Sequence, residues 1–275
     1  MIKNVLLPLG GKEDIDSVVR FLITLIPDRR ISVHGLGVVD IKGVEDSLAG
    51  APAGAISMAG EAEKKVSSRE RKRVILFIDS IVKRFDKKRI EFDSSVVEGD
   101  PEEEILSKSM GFDLLVLCSD SVFSFSRDEE PVGFFSDLIH KVYVPVIYYV
   151  ADNGGENTGV ACDFGKDSSH AINAYLHLGI RYTKKLMFSH VSTDEREEGR
   201  FAPHISHFGR HGYKDVSKTQ LTGDKISAMR RLVETEDIGL LVLGKKGENR
   251  LRNYLFGSLT DDLIKDPVCP LFIHD

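Results

Sequence analysis

The 275-residue chain repeats its own pattern. Asp137-Leu138-Ile139-His140, followed by Val144-Pro145-Val146-Ile147, returns as Asp262-Leu263-Ile264-Lys265, followed by Cys269-Pro270-Leu271-Phe272. The two prolines lie 270 − 145 = 125 residues apart. Upstream, Leu114-Leu115-Val116-Leu117 matches Leu240-Leu241-Val242-Leu243 at a shift of 126, and Gly99-Asp100 matches Gly223-Asp224 at a shift of 124. His34 and His190 each close a short apolar run. Matches in one order, with offsets drifting by a residue, read as duplication with small loop changes. The repeat divides the chain into copies at 1–151 and 152–275, each long enough to bury its own core.

Within each copy, continuous apolar runs alternate with helical patterns, which predicts parallel strands joined by crossover helices. The first copy reads as strands near 3–8, 32–38, 91–97, 114–118 and 144–150, with helices near 13–26, 61–85, 101–109 and 134–141. The second reads as strands near 158–163, 186–192, 215–220, 239–243 and 269–274, with helices near 167–180, 223–234 and 257–265. The fold class is therefore α/β: two open parallel five-stranded sheets with helices on both faces. Local signals agree with it. After Gly99, Asp100 caps a helix, Pro101 suits its first turn, and Glu102 to Glu104 complement its positive end. Lys42 to Gly60, rich in Gly, Ala and Ser, reads as a loop. The counterpart near 193–213 is shorter and rich in His and Gly, so the copies diverge most in their second crossover.

Composition narrows the function. A net charge of −6 argues against nucleic acid and against docking on an anionic membrane. No apolar run approaches the roughly 20 residues a spanning helix requires. The N-terminal segment reads as a core strand and not as a secretory signal. Cys118, Cys162 and Cys269, odd in number and far apart, form no disulfide framework, so a cytoplasmic location is expected.

The segment that carries chemistry is Gly244-Lys245-Lys246-Gly247, nine intervening residues, then Gly257-Ser258. Gly244 directly follows an apolar strand, where ligands of open parallel sheets bind. Gly257-Ser258 opens a helix, and Ser258 with Asp261 fits a capping pattern that leaves N–H donors for an anion. On spacing alone, a phosphate clasp and a turn glycine with an ordinary cap fit about equally. The pattern resembles that of the universal stress protein family, whose nucleotide signature is Gly, two residues, Gly, nine residues, Gly, then Ser or Thr. Together with the Gly99-Asp100-Pro101 helix start and the proline-led final strands, the resemblance covers two copies in tandem.

The resemblance implies an adenine nucleotide, ATP before AMP or ADP, in the second copy. It implies that Asp163, with Ala161 and Cys162 at the end of the first strand, reaches the ribose or a Mg²⁺ ion beside the phosphates. It implies that Val191 lines the base and Leu243 flanks it. Gly244, Gly247, Gly257, Ser258 and Thr260 would hold phosphates, with Leu259 beside them in the site; Lys246 or its neighbour Lys245 would add charge or stand as a solvated loop lysine. It implies that the final strands meet in an intrachain pseudo-dimer, with a further homodimer and an unidentified protein partner as expectations. The first copy departs from the signature: Gly10 stands for the Asp, Cys118 and Ser121 replace the first two glycines, and Pro131-Val132-Gly133-Phe134 crowds the third. It is not expected to bind nucleotide in the family's manner.

The function expected is a nucleotide-dependent regulatory switch. The alternatives are an enzyme cleaving or transferring from ATP, at most slowly because no general base is apparent, and a nucleotide-free scaffold. No catalytic residue is assigned. Asp163-Phe164-Gly165 spells a kinase tripeptide without the rest of the kinase set. His204, His207 and His211 would share a face of an uninterrupted helix, but Pro203, Gly209 and Gly212 argue against one, and exposed loop histidines are expected. His170 and His177 are expected on a helix surface, and Cys162 as a buried strand cysteine.

Overall fold

Apolar runs of strand length, separated by amphipathic segments, can bury both faces only as a covered parallel sheet. A computed structural model shows this arrangement; it describes residues 2, 4–26, 30–48, 56–85, 90–123, 132–151, 154–181, 184–191, 199–245 and 259–275. The first copy contributes β1 (Asn4–Leu9), α1 (Ile15–Leu25), β2 (Ile31–Asp40), α2 (Ile41–Leu48), α3 (Ile56–Phe85), β3 (Ile90–Gly99), α4 (Pro101–Ser109), β4 (Leu114–Cys118), α5 (Val132–Lys141) and β5 (Val146–Tyr149). The second contributes β6 (Asn157–Ala161), α6 (Lys166–Leu178), β7 (Leu186–Val191), α7 (Phe201–Arg210), β8 (Val216–Leu221), α8 (Lys225–Thr235), β9 (Ile238–Gly244), α9 (Leu259–Lys265) and β10 (Leu271–His274).

All ten strands form one sheet, in the order β3-β2-β1-β4-β5-β10-β9-β6-β7-β8. Pairing is parallel within each copy and antiparallel where β5 meets β10, with Leu271 opposite Tyr148 and Ile273 opposite Val146. The final strands thus cover each other's edges, as the resemblance implied, and no apolar edge is left at the centre of the sheet. One face is covered by α1, α3, α6 and α7, the other by α4, α5, α8 and α9.

Register independently reproduces the duplication. Leu114 and Leu240, matched in sequence, pair with Val5 and Thr158. Those two pair in turn with Val33 and Leu186, which pair with Phe92 and Val216. One match fails. His34 lies opposite Leu6 in the middle of β2, whereas His190 lies near the end of β7. In register His34 corresponds to Met187, and the two histidines are not equivalent.

Two other readings are corrected. The segment 42–60 is not a loop throughout, since α2 and the start of α3 lie in it and 49–55 lies outside the described residues. The Asp40 carboxylate at the end of β2 accepts the Gly43 amide at 2.7 Å, a local cap that outweighs a loop-like composition. The histidine-rich segment also holds a helix, α7. Pro203 falls in its first turn, where no intrahelical N–H is lost, and Phe201 and Phe208 anchor it to the core.

Candidate functional site

In the second copy β6 and β9 are parallel neighbours. The chain leaves β6 toward α6 on one face of the sheet, while α9, which leads into β10, covers the other. The crevice beyond their carboxyl ends is the switch point of an open α/β sheet. Ala161 and Leu243 are buried in its floor, with Val191 and Leu259 packed against the same apolar cluster. Four residues far apart in sequence therefore all face the α9 side of the sheet.

Asp163 stands at the rim. Its Oδ1 accepts the Gly165 amide at 2.9 Å and the Ser168 hydroxyl at 2.6 Å. The carboxylate thereby orders the turn into α6, in which Phe164 adopts φ 58°. Sequence reasoning missed Ser168, and no capping spacing marked it, because Asp163 lies two residues before the N-cap Gly165, which makes no side-chain cap bond. Cys162 points the other way. Its side chain belongs to the cluster under α6, and its sulfur accepts the Phe164 amide at 3.2 Å. Burial pushes this thiol up to about 11, consistent with a buried strand cysteine.

Gly244 ends β9 against α6. A Cβ placed there would lie 2.7 Å from both the carbonyl carbon of Asp167 and the amide nitrogen of Ser168. Its carbonyl accepts the Thr260 hydroxyl at 2.7 Å. This bond ties the first turn of α9 to the end of β9, so the two ends of the signature segment meet although sixteen residues separate them. Lys246, Gly247, Gly257 and Ser258 lie outside the described residues.

Lys245 is neither solvated nor turned into the crevice. It is 1% exposed, donates to the Val142 carbonyl of the first copy and lies 3.1 Å from the Asp275 carboxylate. The expectation that it adds charge to the phosphates is overturned by these partners. Beside it, α9 is held to the first copy through Asp261, whose Oδ1 accepts the Ser136 hydroxyl at 2.6 Å and lies 2.8 Å from His140 Nε2. No sequence pattern marked the contacts of Lys245 with Val142 or of Asp261 with Ser136 and His140, because they join residues more than a hundred positions apart.

The first copy has a different crevice. A Cβ on Gly10 would lie 2.4 Å from the Val122 amide nitrogen, so the turn after β4 closes over the end of β1. Cys118 is fully buried behind it. Of Pro131, Val132, Gly133 and Phe134, Pro131 and the Val132 side chain lie outside the described residues, and a Cβ on Gly133 would meet nothing within 4 Å.

The histidines do not assemble a centre. The His204 ring stacks on Phe188 with centroids 5.1 Å apart, and His207 Nε2 lies 3.0 Å from Asn173 Oδ1. Among the described residues, no group of three or more His, Cys, Asp or Glu side chains could hold a metal ion. His170 and His177 are exposed on α6. No helix among the described residues is long and apolar enough to cross a membrane.

The fold and this crevice define a class: a duplicated, doubly wound α/β protein with one switch-point crevice shaped differently from its twin. Residues 206–274 match the model of the Universal stress protein family. A universal stress protein from Archaeoglobus fulgidus DSM 4304 is similar over 99% of this chain and 96% of its own, at 18% identity and a TM-score of 0.65. A putative universal stress protein from Pseudomonas aeruginosa UCBPP-PA14 is similar over 99% and 93%, at 12% identity and a TM-score of 0.58. The cytoplasmic domain of a prokaryotic cation chloride cotransporter is similar over 99% and 95%, at 12% identity and a TM-score of 0.57. No curated protein matches the sequence. The family match lies within the second copy, residues 206–274, and the fold shared with these structures extends over both copies.

Proposed function

We propose that the second copy binds an adenine nucleotide, ATP foremost, and acts as a nucleotide-dependent regulatory module. The observation that carries this reading is the Thr260–Gly244 bond. It gathers both ends of the Gly244–Thr260 segment at the carboxyl end of β9, the position from which the signature's amides reach an anion. The apolar floor of Ala161, Leu243 and Val191 suits the base and ribose, with the Cys162 backbone beside it. Asp163 at the rim offers acceptor oxygen to a ribose hydroxyl or to Mg²⁺, which when bound would neutralise phosphate charge. Gly247, Gly257 and Ser258 would present amides to the phosphates, Lys246 would add charge, and Leu259 would pack behind them.

Occupancy then favours one arrangement of the segment between β9 and α9 and shifts the population seen by a protein partner. Residues 1–151 and 152–275 are the two units of this device, with the first unit supporting the second. We expect a cytoplasmic protein that pairs further through unidentified surfaces. Calorimetric titration with ATP and Mg²⁺ tests the site. One equivalent of ATP per chain is expected, with loss of binding in a folded Gly257→Val variant and unchanged affinity in Gly133→Val. Unchanged ATP affinity in folded Gly257→Val refutes the assignment. Rapid release of ADP or AMP in the same mixture would make the protein an enzyme instead.

A further inference from the structure

The loop that follows β1 turns three consecutive amides inward. Those of Gly10, Gly11 and Lys12 all donate to one carboxylate, that of Glu13: Gly10 to Oε1, and Gly11 and Lys12 to Oε2 at 2.9 and 3.1 Å. The Ser121 hydroxyl, from the turn after β4, donates to the same Oε1 at 2.6 Å. Glu13 is 5% exposed and Ser121 1%. Successive inward amides are an anion-binding concavity, and four donors around one carboxylate compensate its removal from water. The feature is separate from the end of α1, which has its own cap in Asp14. It sits at the switch point of the first copy, where Gly10 lies against Val122.

Among the described residues the donors to Glu13 are three backbone amides and one hydroxyl, with no lysine or arginine side chain. The neighbouring Asp120 carboxyl is raised above its usual range by burial and by the charge of Glu13. The donors of the crevice are therefore already taken by one carboxylate.

We propose that the first copy contains an oxyanion site filled from within, in which Glu13 is a resident ligand. Its carboxylate ties the end of β1 to the turn after β4 and keeps external anions out. The ligand class is a small planar carboxylate, and the site accepts a free one only when Glu13 is removed. This inference does not depend on nucleotide binding by the second copy.

The test is Glu13→Ala, with formate as the probe and chloride at equal ionic strength as the reference. Thermal unfolding is expected to show a loss of stability that formate restores saturably. At ten times the dissociation constant the folding constant should rise about tenfold. Wild type and Asp100→Ala, which lacks a partly exposed cap, should respond to formate as they do to chloride. Phosphate tests shape: restoration by formate and not by phosphate supports a carboxylate site, and equal restoration by both overturns that ligand class. Equal formate and chloride responses in Glu13→Ala overturn the proposal altogether. Should Glu13→Ala not fold, hydrogen exchange on the wild-type protein decides. The Gly10, Gly11 and Lys12 amides should then be strongly protected, with protection reduced at least tenfold in Glu13→Gln; exchange at open-loop rates overturns the proposal.

Discussion

Gly244 is the signature glycine of the second copy among the described residues, and its surroundings make it answerable to packing before any ligand. A Cβ at this position would meet the α6 backbone at 2.7 Å. Ordinary contact between such atoms is about 3.5–4.0 Å. Both atoms it meets are main chain, so no side chain can rotate away. Gly244→Ala must therefore move α6 and β9 apart by nearly an ångström, and forced overpacking of this kind costs about 1–3 kcal/mol. For a chain of this size each kcal/mol lowers Tm by about 2–4 °C, so a fall of roughly 2–12 °C is expected by circular dichroism or calorimetry. Gly133→Ala is the matched control. It adds the same methyl group within α5, where a Cβ meets nothing within 4 Å, and should be neutral or stabilising by up to about 1 kcal/mol. If the Ala variants at 244 and 133 melt together, the close approach of α6 to β9 is not what requires glycine.

Three further outcomes are expected. Asp163→Ala should destabilise by about 1 kcal/mol through loss of the bonds from Gly165 and Ser168. Asp163→Asn should keep the fold but weaken ATP binding in titration calorimetry, and equal ATP affinity in Asn and wild type would leave Asp163 purely structural. All three thiols should resist Ellman's reagent at pH 8 until the protein unfolds. Burial pushes Cys162 up to about 11, Cys269 up to about 12 and Cys118 well above its ordinary value, which leaves about one thiolate in a thousand at Cys162; a rapidly reacting native thiol would contradict this. Burial, helped by the nearby His207 and Arg200 charges, holds His204 below the ordinary histidine value. The unfolded chain then binds this proton more readily, so stability is complete above about pH 6.5 and falls as pH drops below it. His204→Phe should lessen the slope of the urea-midpoint profile between pH 7.5 and 5.5, and an unchanged slope would place the titration at His207 or His274, which burial also holds low.

Much of the architecture was legible from the chain because its signals are local. The helix from Pro101 to Ser109 begins where Asp100, Pro101 and the acidic first turn predict. The apolar runs of the inner strands are continuous because those strands are covered on both faces, whereas the edge strands β3 and β8 stay partly exposed, and the repeat offsets return as strand register. The misreadings also have local causes. The Gly-, Ala- and Ser-rich stretch after Asp40 reads as loop by composition, yet one cap starts α2 there. Proline disfavours helix in the histidine-rich segment only if it falls inside one, and here it falls in the first turn.

The sequence by itself determined the duplicated α/β fold and the position of the glycine-bearing segment after the fourth strand of the second copy. Periodicity, caps and spacing act between residues a few positions apart. Only the tertiary structure decided that Lys245 is buried against Val142, that Asp261 holds α9 to Ser136 and His140, that Cys162 turns away from the crevice, and that Glu13 fills the loop of the first copy. Each of these joins groups from different strands or different copies, or depends on which face of the sheet a side chain enters. Such pairings are selected by the desolvation of buried polar groups once the sheet has closed, and that selection has no period in the chain.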